Sequence, residues 1–200
     1  MKTILTCLTA LLLSFAAVLP GQAAQTTASG NYRVDAVMTE GGTLLRGPAK
    51  VYVFDARGTV VARRHAVPAV FDLEDGDYTV AVVYKSARAR GPLQSGTDPR
   101  SNVLNLEAGQ VRLDLIGQDG RRVRVARIDW TLYRYRAEAT PGAAVATSQD
   151  RRPELTLDAG WYEVRVRATS ETGAASTKTH VIQVKPGRWQ TYSIVTDQAG

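Results

Sequence analysis

Beyond residue 30, apolar side chains recur at every second position in short runs, most clearly in Tyr78-Thr-Val80-Ala-Val82-Val-Tyr84 and Tyr162-Glu-Val164-Arg-Val166-Arg-Ala168. A period of two places these residues on one side of an extended strand. Turn residues break the pattern about every 8 to 12 positions, the spacing of a sandwich or barrel. No segment after the N-terminal apolar stretch reads as a helix, and the Ala-rich stretch Ala137–Ala146 is interrupted by Pro141-Gly142. Strands are predicted at Tyr32–Met38, Lys50–Asp55, Thr59–Arg63, Ala69–Leu73, Tyr78–Ser86, Asn102–Leu106 and Gln110–Ile116. A second set is predicted at Arg122–Arg127, Asp129–Arg136, Ala143–Thr147, Glu154–Leu157, Tyr162–Ser170, Thr177–Lys185 and Trp189–Val195.

The two sets share a phrase. Leu73-Glu-Asp-Gly76-Asp-Tyr78 returns as Leu157-Asp-Ala-Gly160-Trp-Tyr162, each followed by an alternating strand. Such an echo at fixed spacing is the mark of a duplicated unit. The phrase has a physical reading as a tyrosine corner. The hydroxyls of Tyr78 and Tyr162 fold back onto nearby backbone and fix the passage between two sheets. Gly76 and Gly160 are expected in a conformation costly to other residues, with Leu73 and Leu157 filling the core. The predicted fold is all-β: two tandem Greek-key sandwiches, Ig-like or prealbumin-like, after a cleaved signal peptide.

The expected organisation is a signal at 1–23, a flexible leader at 24–30, a first module at 31–117 and a second at 121–197. The Gln118-Asp119-Gly120 turn marks the boundary, and so short a link implies contact between the modules. Glu107-Ala-Gly109 and Lys185-Pro-Gly187 read as matching turns near the ends of the two units. Arg57-Gly58 reads as a hairpin turn between Val53 and Val60. Ala87–Ser101, with Arg88, Arg90 and Arg100 among Gly and Pro, reads as a long insertion opposite the shorter Glu171–Ser176. Long loops on rigid sandwiches drift, and they also host binding sites.

The N-terminus predicts export. Lys2 precedes an apolar core from Ile4 to Leu19, Pro20-Gly21 breaks it, and small residues allow a cut after Ala23, with Ala24 as the near alternative. That core is shorter than the roughly 20 residues of a membrane span, so no span is expected in the mature chain, and the destination is periplasmic or secreted. Cys7, the only cysteine, lies within the signal, which leaves no disulfide, thiol nucleophile or thiolate metal site. Core burial has to hold the molecule together, and roughly 85 residues per module suffice for that.

Leu-x-x-Gly-x-Tyr, a valine strand, a loop, a return strand, a Pro-Gly or Ala-Gly turn and a final strand resemble prealbumin-like and carboxypeptidase-regulatory-like β-sandwich modules. The second unit, with Ile128-Asp-Trp130-Thr-Leu132 ahead of its phrase, is similar to modules that accompany von Willebrand A domains in bacterial envelope proteins. The resemblance covers most of residues 31–196 and implies a mostly non-catalytic binding or scaffold role. It carries over no catalytic residues. The first unit departs from it in its long loop and in having no Trp at the place of Trp130.

The remaining chemistry is sparse. His65 and His180 lie in different units without clustered partners, so no metal or other cofactor is expected. The acidic turn Asp72-Leu-Glu74-Asp75-Gly76-Asp77 lacks the spacing of a calcium loop. Neither a Gly-x-Ser-x-Gly nor a phosphate-cradling loop is present, and no enzyme is expected. The sequence carries a net charge of +6, with Arg outnumbering Lys and most of the excess in the second unit. The Arg excess reads first as a GC-rich genome writing Arg where others write Lys, and second as an Arg-lined face for an anionic envelope partner; without a matching motif, nucleic acid is not expected. All three tryptophans lie in the second unit. Trp130 alternates with Ile128 and Leu132 and reads as core. Trp189 follows the Pro-Gly turn and can pack on either side. Trp161 is out of phase with Tyr162 and shares a face with Glu163, Arg165 and Arg167. Trp161, Arg165 and Arg167 are therefore the candidate ligand-binding residues, for an envelope protein or an anionic glycan.

Overall fold

The computed structural model describes residues 31–94, 102–137 and 141–197. The predicted signal and leader lie outside the described residues, as does Arg100. All regular structure among the described residues is β.

The first seven strands are β1 (Tyr32–Val37), β2 (Gly47–Phe54), β3 (Val60–Val67), β4 (Ala69–Phe71), β5 (Tyr78–Tyr84), β6 (Ala87–Leu93) and β7 (Val103–Asn105). They form two sheets, β4-β1-β7 and β3-β2-β5-β6. The next seven are β8 (Ala108–Ile116), β9 (Arg127–Arg134), β10 (Ala144–Ser148), β11 (Glu154–Asp158), β12 (Gly160–Thr169), β13 (Ala175–Val184) and β14 (Trp189–Val195). Their sheets are β11-β8-β14 and β10-β9-β12-β13. Adding seven to each strand number of the first pair reproduces the second. In each unit the last strand lies parallel to the first, β7 on β1 and β14 on β8, while the other pairs are antiparallel. The described residues thus form two sandwiches of seven strands each, with matching strand order.

Each sandwich encloses its own core, because period-two apolar residues from both sheets point inward. In the first, Val34 and Ala36 of β1 meet Val51, Val53, Val80 and Val82 of the facing sheet. In the second, Val111, Leu113 and Leu115 of β8 meet Trp130, Leu132, Tyr162, Val164 and Val166. Trp130 is core as expected, its indole N–H donating to the Asp150 carbonyl at 3.0 Å. The turn after β2 also forms as read: Gly58 has a φ of +80° and its N–H bonds the Asp55 carbonyl.

Three expectations about strands are corrected. Ala87–Leu93 is not a loop but the edge strand β6, paired with β5 along its whole length. Only Leu93 among its inward residues is large, Ala87 and Ala89 being small, and Gly91-Pro92 looks like a breaker. On an edge, however, a proline need not donate to a further strand. The counterpart of the hairpin turn around Glu171–Ser176 is therefore the short Lys85-Ser86 turn. Second, Arg122–Arg127 is not a strand. It meets β8 through the Ile116–Arg122 bridge and a long bond from Val123 N–H to the Leu115 carbonyl, then crosses between sheets with Val125 buried. Third, the strand beginning at Ala108 does not close the first unit. It is the central strand of the second unit's three-stranded sheet, flanked by β11 and β14. Gln118-Asp119-Gly120 is thus a turn between β8 and β9, and the core changes between Ala108 and Val111. Glu107-Ala-Gly109 and Lys185-Pro-Gly187 are then not counterparts. They meet in space, with Gly187 N–H donating to the Ala108 carbonyl at 2.9 Å.

The two units touch. Arg88 N–H on β6 donates to the Asp158 carboxylate at the end of β11, 2.8 Å away. At Gly187 an added Cβ would meet Thr39 of the first unit at 2.8 Å.

Candidate binding surface on the second sandwich

The site begins at the repeated phrase. Tyr162 is fully buried, and its hydroxyl donates to the carbonyl of Asp158, 2.8 Å away and four residues upstream. Burial, above all, pushes its phenol up to about 12, the nearby Asp158 adding to the rise and Arg134 and Arg88 opposing it. Tyr78 makes the equivalent bond to Glu74 at 3.1 Å but is half-buried, as is Leu73, whereas Leu157 is fully buried. Gly160 has a φ of +140°, and a Cβ there would come within 2.5 Å of the Arg134 guanidinium. Gly76 corrects the expectation made for both glycines. Its φ is not positive, and a Cβ would make only ordinary contact with the Tyr78 ring at 3.5 Å.

With Tyr162 pinned inward, the alternation of β12 turns Trp161, Glu163, Arg165 and Arg167 outward. The register with β9 and β13 sets their neighbours in rows. Trp161 lies between Tyr135 and Gln183, and Glu163 between Tyr133 and Val181. Arg165 lies between Thr131 and Thr179, and Arg167 between Asp129 and Thr177. Trp161 is 52% exposed, Tyr135 44% and Val181 40%. These three and Tyr133 make an aromatic and apolar patch on the outer sheet face.

The arginines do not join that patch as one platform. Arg165 donates through Nε to the Glu163 carboxylate at 2.6 Å, and its guanidinium covers the Tyr133 ring at 5.1 Å. Arg167 is six residues along the strand from Trp161, about 20 Å at strand rise. It faces Asp129, whose carboxyl the Arg127 guanidinium first, and the Gln149 amide next, hold below the usual range, with Arg167 adding a weaker pull. The strand phase thus placed Trp161 outward but did not single out Tyr133, Tyr135 and Val181 beside it. The signal for the tyrosines was present: they are out of phase with Ile128, Trp130 and Leu132. Val181 gave none, because an outward valine on an edge strand looks like any other.

Elsewhere on this unit, Trp189 is exposed on the opposite sheet with the Arg112 guanidinium 5.2 Å above its ring. His65 and His180 are exposed. Among the described residues no group of three or more His, Cys, Asp or Glu side chains is placed to hold a metal ion. No helix among them is long and apolar enough to cross a membrane.

No family model matches the chain, and no curated protein matches it in sequence. Among solved structures it is similar to a candidate adhesin from Bacteroides ovatus, at 10% identity and a TM-score of 0.38, over 92% of this chain and 99% of that one. It is also similar to GBS52, the minor pilin of Streptococcus agalactiae, at 11% identity and a TM-score of 0.33, over 82% and 94% of the two chains. The likeness to the Bacillus anthracis TIE protein is at 12% identity and a TM-score of 0.32. It covers 83% of this chain, which spans only 33% of that protein.

Proposed function

We propose that this chain is a non-catalytic exported binding or scaffold module, and that the outer face of sheet β10-β9-β12-β13 holds a protein partner. The observation that carries the reading is the exposure of Trp161 beside Tyr135, Tyr133 and Val181. Packing of the sandwich needs none of them outward, and clustered exposed aromatics are the composition of interface centres. The signal-like residues 1–23 support export. With Arg165 occupied by Glu163 and Tyr133, the patch offers apolar area more than charge, which favours protein over an anionic glycan.

The test is capture from envelope extract with residues 24–200, in low and high salt, followed by binding of the purified partner to the Trp161→Ala variant. A protein retained in high salt and bound roughly thirty-fold more weakly by the variant supports the reading. Unchanged binding by the variant removes the patch from it. The rival reading, a glycan stacked on Trp161, is favoured by the ring's exposure beside Tyr135. It predicts that Trp161→Ala abolishes glycan retention without lowering the melting temperature.

A further inference from the structure

The end of the second sandwich away from the first unit is built from two connections. The β8–β9 segment turns at Gly117 to Arg121, bridges β8 at Arg122 and is tied to β12 where Ala126 N–H donates to the Thr169 carbonyl. The β10–β11 segment returns beside it, with Leu113 N–H bonded to the Pro153 carbonyl. Between them lie two adjoining hollows of about 350 and 330 Å³, which share Val125, Ile128 and Arg151 as walls. Five arginines line them, Arg122, Arg124, Arg127, Arg151 and Arg152, against one lining carboxylate, Asp114.

The charges do not cancel. Arg152 is held by Asp114 through a fork, Nε to Oδ1 at 2.6 Å and Nη2 to Oδ2 at 3.3 Å. Arg127 is held by Asp129 in the same manner, at 2.8 and 3.0 Å. Arg151 is fixed by one donor to the Val125 carbonyl at 3.0 Å, which orients it without neutralising it. Among the described residues neither Arg122, Arg124 nor Arg151 has a carboxylate within ion-pair distance. Three like charges held around concave walls raise the local concentration of anions, and forked guanidinium donors match the oxygens of carboxylate or phosphate.

We propose that this cleft binds the acidic groups, carboxylate or phosphate, of an anionic polysaccharide. Its two lobes suit charges repeated along a chain. Its lining contains no aromatic ring on which nucleic-acid bases could stack. It has no exposed apolar anchor for a bilayer surface among its residues. The site is separate from the Trp161 patch, so either can fail alone.

The test is calorimetric titration of residues 24–200 with an oligogalacturonate and, separately, with inorganic phosphate, at low and moderate salt. The expected result is oligosaccharide binding that weakens with salt and falls at least about tenfold in Arg122→Gln/Arg124→Gln. The melting temperature should be unchanged, and Trp161→Ala should bind as the parent does. Phosphate should bind far more weakly than the oligosaccharide. Binding unaltered in the double variant, binding lost in Trp161→Ala instead, phosphate as tight as the oligosaccharide, or no binding of either probe would each overturn the proposal.

Discussion

The two tyrosine corners are chemically alike and energetically unequal. Tyr162 is buried and its hydroxyl has one short bond to Asp158, whereas Tyr78 makes a longer bond from a half-exposed site. Removing a buried partner strands a carbonyl, while an exposed one turns to water. Tyr162→Phe should lower unfolding free energy by about 1 kcal/mol or more, and Tyr78→Phe by less, in matched denaturant melts. Equal losses would contradict the role of burial. The same residue sets an alkaline limit. The native phenol titrates near 12 against an ordinary value of 10. Folding therefore favours the protonated form, and this contribution is complete below pH 10 and lost as pH rises through 12. The alkaline unfolding limb between those values should flatten in Tyr162→Phe. Gly76 shows where the shared phrase misleads at this scale: the letter recurs, but only Gly160 has the positive φ.

At the scale of elements, the decisive strand is β8. It lies between β11 and β14 and supplies Val111, Leu113 and Leu115 to the second core. We propose the second folding unit as beginning at Glu107 rather than Arg121. A fragment of residues 107–197 should melt cooperatively, and one of 121–197 should not fold, because two strands lose their only sheet neighbour. Cooperative folding of the shorter fragment would sink this boundary. The alternation of β8 was legible in Gln110–Ile116, but its allegiance was not. Sequence proximity to the first unit argued for one sandwich, and long-range pairing with Glu154–Asp158 and Trp189–Val195 put it in the other. β6 was illegible for a different reason: an edge strand needs little apolar bulk, so Ala, Gly and Pro with a single buried Leu93 suffice.

For the whole molecule the question is how firmly the two sandwiches are joined. Asp158 accepts from Arg88 N–H of the first unit with one oxygen and from Arg134 with the other. Its main-chain carbonyl also holds the Tyr162 hydroxyl. Gly187 packs directly on Thr39. Gly187→Val should therefore push the units apart and leave each core intact. The measurement is small-angle scattering, with the maximum dimension increasing while near-ultraviolet dichroism of buried Trp130 is kept. Gly58→Val is the control. It also has a positive φ, but a Cβ there meets nothing within 4 Å, so it should show only backbone strain of about 1–2 kcal/mol.

Period-two alternation, turn residues and the repeated Leu-x-x-Gly-x-Tyr phrase were enough to determine an all-β chain built from two related sandwiches, because those features act locally or repeat. They also placed Trp130 inside and Trp161 outside, since phase along one strand decides both. Tertiary structure alone decided which sandwich owns β8, because strand partners are chosen by distant segments. It also decided that Tyr133, Tyr135 and Val181 surround Trp161, through cross-strand register. And it gathered Arg122, Arg124 and Arg151 around one cleft, because two loops separated by two strands converge at the same end of the sandwich.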